Sequence, residues 1–84
     1  MKVFKIMNPK YNWDDTIEIV VCANSIEEVK SHLKPTVYGR RLHTVVNFEG
    51  DELECWFSTS PEELIIEEVI LDKPKIICES FNNG

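Results

Sequence analysis

The chain has 84 residues, with 15 Asp and Glu against nine Lys and Arg and a formal net charge of −6 at pH 7. That length sets one domain around one core, and no apolar run approaches the ~20 residues needed to cross a bilayer. The acidic balance argues against nucleic acid and anionic membranes as partners and favours a protein with a basic surface.

Residues 2–7 alternate, Val3, Lys5 and Met7 against Lys2, Phe4 and Ile6, which predicts a strand. The pattern breaks at Asn8-Pro9, too soon for a signal peptide, so a cytoplasmic protein is expected. Residues 8–15 read as a turn-rich connection. Residues 16–22 form the clearest strand, with Ile17, Ile19 and Val21 on one face, and are predicted to pair antiparallel with the first. Ser25-Ile26-Glu27-Glu28 has capping-box spacing: the Ser25 hydroxyl can accept from the Glu28 N–H while the Glu28 side chain reaches back to the Ser25 N–H. Ile26, Val29 and Leu33 follow at helical spacing, and Pro35 pushes Lys34 out of the helical region, so a helix is predicted over 25–34. Residues 36–41, with Gly39, read as an irregular connection.

Residues 42–58 carry a hairpin pattern. Leu42, Thr44, Val46 and Phe48 share one face, and after Glu49-Gly50-Asp51 the apolar set resumes at Leu53, Cys55 and Phe57. Gly50 supplies the positive φ of a tight loop. The opposite face of the second strand reads Glu52, Glu54, Trp56 and Ser58. Ser60-Pro61-Glu62-Glu63 is a second capping signature. Residues 64–71 either continue as a helix or give one helical turn leading into a strand, and their β-branched content favours the strand. Asp72-Lys73-Pro74 then reads as a turn, and residues 75–81 alternate Ile76, Cys78 and Ser80 against Ile77, Glu79 and Phe81 as a last strand. Cys22, Cys55 and Cys78 are odd in number and each lies in an apolar run, so all three are expected as reduced core or near-core residues.

These elements predict a single small α+β domain: a mostly antiparallel sheet of about five to six strands with one short helix packed on it. Its core is expected from Ile17, Ile19, Val21, Val46, Phe48, Leu53, Phe57, Ile66, Ile70, Ile76 and Cys78.

Ile65-Ile66-Glu67-Glu68-Val69-Ile70-Leu71-Asp72, followed by residues 75–84 ending in Ser80-Phe81-Asn82-Asn83-Gly84, resembles the end of many small phage and mobile-element accessory proteins. Those have an acidic Glu-Glu-Ile strand, a short turn, and an aliphatic strand closing in Ser-Phe-Asn-Ala-Gly. Ala23-Asn24-Ser25-Ile26-Glu27-Glu28-Val29 is similar to the opening of that family's helix. The resemblance covers about half the chain. Asn83 stands where the family more often has Ala, and the hairpin over 42–58 has no counterpart. It implies a phage or prophage context, in which small acidic proteins often bind host enzymes, and no activity to carry over.

No metal or cofactor is expected. His32, His43 and the three cysteines show neither Cys-x-x-Cys nor His-x-x-x-His spacing. No nucleophile–base motif appears, so no enzyme is expected. Asp51, Glu52 and Glu54 lack the ligand order of a calcium loop, and Glu67 and Glu68 point to opposite faces of a strand and cannot act as a carboxylate pair. Two surfaces remain. Trp13 beside Asp14 and Asp15, and Trp56 beside Glu49, Asp51, Glu52 and Glu54, suit binding of a basic protein, the indole anchoring while the acids steer. The plainer use of each Trp is to cover a core edge. Tyr38, Arg40, Arg41 and His43 form a basic-aromatic cluster that suits a phosphate or nucleotide-like ligand, at an oligomer interface because one small domain offers little pocket; its plainer use is neutralising nearby acids. The leading expectation is a non-enzymatic acidic interaction protein that modulates a host protein. The alternatives are the nucleotide binder and an assembly accessory whose sheet edge pairs with a copy of itself.

Overall fold

A computed structural model describes residues 1–10, 16–48 and 54–77, with Glu54 described through its backbone. The order along the chain is β1 (Lys2–Met7), β2 (Glu18–Ala23), α1 (Ile26–Ser31), β3 (Leu33–Tyr38), β4 (Arg41–Asn47), β5 (Glu54–Phe57), a 3-10 turn over Pro61–Glu63, and β6 (Ile65–Val69). The fold is α+β, but among the described residues the six strands make two antiparallel three-stranded sheets and not one: β2-β1-β6 and β3-β4-β5.

The first sheet forms because residues 2–7 and 18–23 carry the period-two pattern that buries one face. Lys2 pairs with Ala23, Phe4 with Val21 and Ile6 with Ile19. On the other side of β1, Phe4 pairs with Glu68 and Ile6 with Ile66. The helix-or-strand alternative left open for residues 64–71 is resolved as strand, since Ile65–Val69 is extended. Lysines of β1 neutralise part of the acidity of both neighbouring strands, with Lys2 Nζ 3.9 Å from Glu68 of β6 and Lys5 Nζ 4.0 Å from Glu18 of β2.

The helix is shorter than its pattern predicts. It spans Ile26–Ser31, and Leu33 already belongs to β3. Ser25 does cap it, its Oγ accepting from the Glu28 N–H at 3.2 Å. The reciprocal half of the box shifts by one residue: the Glu28 carboxylate accepts from the Asn24 N–H at 3.1 Å and the Asn24 side chain at 3.2 Å. At the other end His32 stacks on Phe48, ring centroids 4.3 Å apart, and its Nδ1–H donates to the Asn47 carbonyl at 3.0 Å. Six residues are too few to persist as a helix alone, so packing holds α1, with Val29 fully buried.

The stretch expected as helix end and irregular connection is a strand instead. Leu33 pairs with Val46, Pro35 with Thr44 and Tyr38 with Arg41. β3 ends its sheet's strand order, where a residue without an N–H is tolerated. Pro35 therefore stops the helix without preventing extended pairing. Gly39 and Arg40 form a two-residue hairpin loop, with Gly39 at φ 67°. That conformation disfavours a Cβ on backbone grounds alone, since nothing lies within 4 Å of the position a Cβ would take. Gly39→Ala is expected to cost about 1–2 kcal/mol, the usual penalty of a left-handed conformation. Urea unfolding of the variant checks it.

Both sheets share one core. Phe4, Ile6, Ala23, Val29, Leu33, Val46, Cys55, Phe57 and Leu64 form it, with Ile19, Val21, Ile26, Phe48 and Ile66 packed against it. Of the expected core, Val46 and Phe57 are buried and Ile19, Val21, Phe48 and Ile66 partly so, while Leu53 and Cys78 fall outside the described residues. Ile17 is half-buried. Ile70 and Ile76 are corrections, at 53% and 85% exposed. β6 ends at Val69, and residues 75–77, expected as the start of a strand, join neither sheet, so no layer covers these side chains. Cys22 is a further correction: it is exposed, because it alternates with buried Ala23. Cys55 is buried and reduced.

The second cap signature becomes the 3-10 turn. The Ser60 side chain does not cap it. Instead Thr59 Oγ1 donates to the Glu63 carboxylate, Lys10 Nζ approaches the same carboxylate at 3.0 Å, and Thr44 Oγ1 donates to the Thr59 carbonyl at 2.7 Å. The Thr59 bond, then Lys10, holds the Glu63 carboxyl down at about 2. A depressed carboxyl stabilises the fold above its unfolded pKa and loses that contribution as pH falls through the folded value. The loss should therefore run from about pH 4.5 down to about pH 2. Glu63→Gln is expected to flatten the melting-temperature profile across that window. The part due to Lys10 should shrink with salt, because the pair is exposed.

Candidate functional site

Burial fixes the two faces of β3-β4-β5. Thr44, Val46, Cys55 and Phe57 are buried, so alternation sends His43, Val45 and Trp56 to the opposite, outer face. Register then aligns the neighbours: Trp56 pairs with Val45, and His43 lies one diagonal step away. On the other side Tyr38 pairs with Arg41, which again puts His43 on the diagonal. Diagonal neighbours are within reach of aromatic side chains. Tyr38 from β3 and Trp56 from β5 thus lean over β4 and meet around His43.

The three rings make one cluster. Tyr38 and His43 have centroids 6.1 Å apart, His43 and Trp56 6.3 Å, and Tyr38 and Trp56 6.4 Å. All three contacts are edge-on, the arrangement that ring quadrupoles favour over a face-to-face sandwich. The cluster is open to solvent, with Tyr38 72% and Trp56 42% exposed. Arg40 in the loop and Arg41 beside Tyr38 are exposed at one end of it, and Lys34 shares the outer face. The reverse face of the same hairpin tip is also uncovered: Val37 and Leu42 pair there at 64% and 57% exposed. Leu42 lies on the face expected of it, but beyond the edge of the core.

The two sets of residues singled out in the sequence therefore converge in part. Trp56, from the acidic protein-binding set, touches Tyr38 and His43 of the basic-aromatic set. Glu54 pairs with Asn47 in β5. Trp13, Asp14, Asp15, Glu49, Asp51 and Glu52 lie outside the described residues. The signal for this convergence was present in residues 33–41: Lys34, Thr36 and Tyr38 alternate against Leu33, Pro35 and Val37 before a Gly-X loop, a hairpin signature.

A separate cleft of about 290 Å³ lies between α1 and the 3-10 turn, lined by Lys30, Leu33, Pro61, Glu62, Leu64 and Ile66. Its walls are mostly apolar and its two charged residues are exposed, so it presents no convergent polar chemistry. Among the described residues no three His, Cys, Asp or Glu side chains stand together to hold a metal ion, and no helix is long and apolar enough to cross a membrane. No protein family, curated protein or solved structure matches the chain.

Proposed function

We propose that this protein is a non-enzymatic interaction module that binds and modulates a host protein in the cytoplasm through the outer face of β3-β4-β5. The observation that carries this reading is Trp56, held in contact with Tyr38 and His43 on a solvent-facing sheet surface. Trp, Tyr and Arg are the residue types that dominate binding energy at protein interfaces, and here they occupy one face. The net charge of −6 selects a basic partner at long range, and the aromatic cluster supplies the short-range anchor. A basic nucleic-acid-binding surface on the host protein is the matching target, as in a counter-defence inhibitor.

Affinity capture from host lysate tests it, comparing the wild type with Trp56→Ala and with a Glu52→Lys, Glu54→Lys double variant. A basic protein should be retained by the wild type, lost from both variants and released by salt, since exposed charges are screened beyond ~10 Å at 0.1 M. Retention that is indifferent to all three changes rules the reading out.

One observation favours a second reading. Tyr38 and His43 meet beside two exposed arginines, a pairing of ring faces and guanidinium forks suited to a nucleotide. Native mass spectrometry with a nucleotide panel separates the two. A mass shift that disappears in an Arg40→Ala, Arg41→Ala double variant supports nucleotide binding, and no shift removes it.

A further inference from the structure

One hydrogen bond fixes which backbone groups of β2 face outward. The Asn8 N–H donates to the Ile17 carbonyl at 2.8 Å, in register with the β1–β2 pairing. Hydrogen-bonded and non-bonded pairs alternate along an antiparallel ladder, so Ile19, Val21 and Ala23 bond to β1. Val20 and Cys22 then turn their N–H and C=O groups away from β1. Among the described residues β2 is the last strand of its sheet on that side. Val20 and Cys22 are exposed, and Ile19 and Val21, although packed against the core, are only half-buried. The other sheet edges carry features that discourage pairing: β3 contains Pro35, β6 contains Glu67 and Glu68, and β5 is four residues long. From Ile19 to Ala23, β2 has neither a proline nor a charge.

We propose that β2 pairs antiparallel with β2 of a second copy of this chain, joining two β2-β1-β6 sheets across a two-fold axis at Val21. This register sets Val20 opposite the partner's Cys22 and Cys22 opposite the partner's Val20. Both are hydrogen-bonded pairs, so four backbone bonds cross the interface. On the core face Val21 meets its own copy, and Ile19 meets the partner's Ala23, a large side chain against a small one. No like charges stand opposite each other. The same operation centred on β6 would set Glu67 against itself, which like-charge repulsion opposes. The pairing edge belongs to a different sheet from the proposed contact face, so either can fail without the other.

Sedimentation equilibrium of the full chain, from micromolar to millimolar concentration, should show monomer passing to dimer. Val20→Pro removes one outward N–H from each protomer and none that bonds to β1. Two of the four crossing bonds are lost, which should weaken dimerisation about tenfold. Val20→Lys places a charge on the edge, should weaken it likewise, and serves alone if the proline variant does not fold. Amide hydrogen exchange reads the register. The Val20 and Cys22 N–H groups should gain protection as concentration rises, while the Val21 N–H, bonded to β1, is protected throughout. Under oxidation Val20→Cys should link to the partner's Cys22, because the Cα atoms of a hydrogen-bonded pair lie about 5.5 Å apart, within disulfide reach. Adding Cys22→Ser should abolish the link. A chain that stays monomeric, a dimer indifferent to both Val20 variants, exchange at Val20 and Cys22 that ignores concentration, or a link that survives Cys22→Ser overturns the proposal.

Discussion

Phe57→Ala is expected to lower the unfolding free energy by about 3–5 kcal/mol, the usual cost of emptying a fully buried aromatic position. Phe57 is completely buried in β5, in the core that both sheets share. Its ring therefore stabilises more than the short strand that carries it. A domain of this size has only about 5–15 kcal/mol to lose, so the variant should be partly unfolded near physiological temperature. Urea unfolding followed by circular dichroism reads the change directly. Phe57→Leu keeps most of the volume and should cost less than half as much. A loss under about 1 kcal/mol for the alanine variant would mean that the two sheets do not depend on a common core.

Trp56→Ala, one residue earlier, should behave in the opposite way. Its ring is on the outer face and touches Tyr38 and His43 at their edges, so stability should fall by only about 0.5–1.5 kcal/mol, the usual value of such ring pairs. Partner binding should weaken by about 2 kcal/mol or more, roughly thirtyfold, as expected of a central indole anchor. Calorimetric titration of the captured partner, beside thermal unfolding of the same variant, separates the two quantities. A large stability loss with unchanged affinity would reassign Trp56 to covering the sheet. The contrast between neighbours arises from the two-residue period of a strand, which gives Phe57 to the core and Trp56 to solvent.

The acidic surplus divides along similar lines. Glu28 secures the start of α1 through Asn24, and Glu63 anchors the 3-10 turn through Thr59 and Lys10. Glu18 and Glu68 stand across from lysines of β1. These carboxylates have structural partners within the chain.

Local pattern by itself pointed to strands over residues 2–7 and 16–22 and to a hairpin within 42–58, where the structure has Lys2–Met7, Glu18–Ala23, Arg41–Asn47 and Glu54–Phe57, and it gave the Ser25 cap and which face of that hairpin is buried. In each, alternation or a cap couples neighbours a few residues apart, so the physics is legible locally. Local pattern could not decide residues 33–38, where Leu33 fits a helical stripe and a strand face equally. Pairing with β4 decided it, because the hydrogen-bond partners of β3 come from residues 41–46. Nor could it show that six strands split into two sheets, since strand order depends on contacts far apart in sequence. The same nonlocal pairing brings Tyr38, His43 and Trp56 together: each could be placed on a face from its own strand, but only the tertiary structure makes those faces one surface.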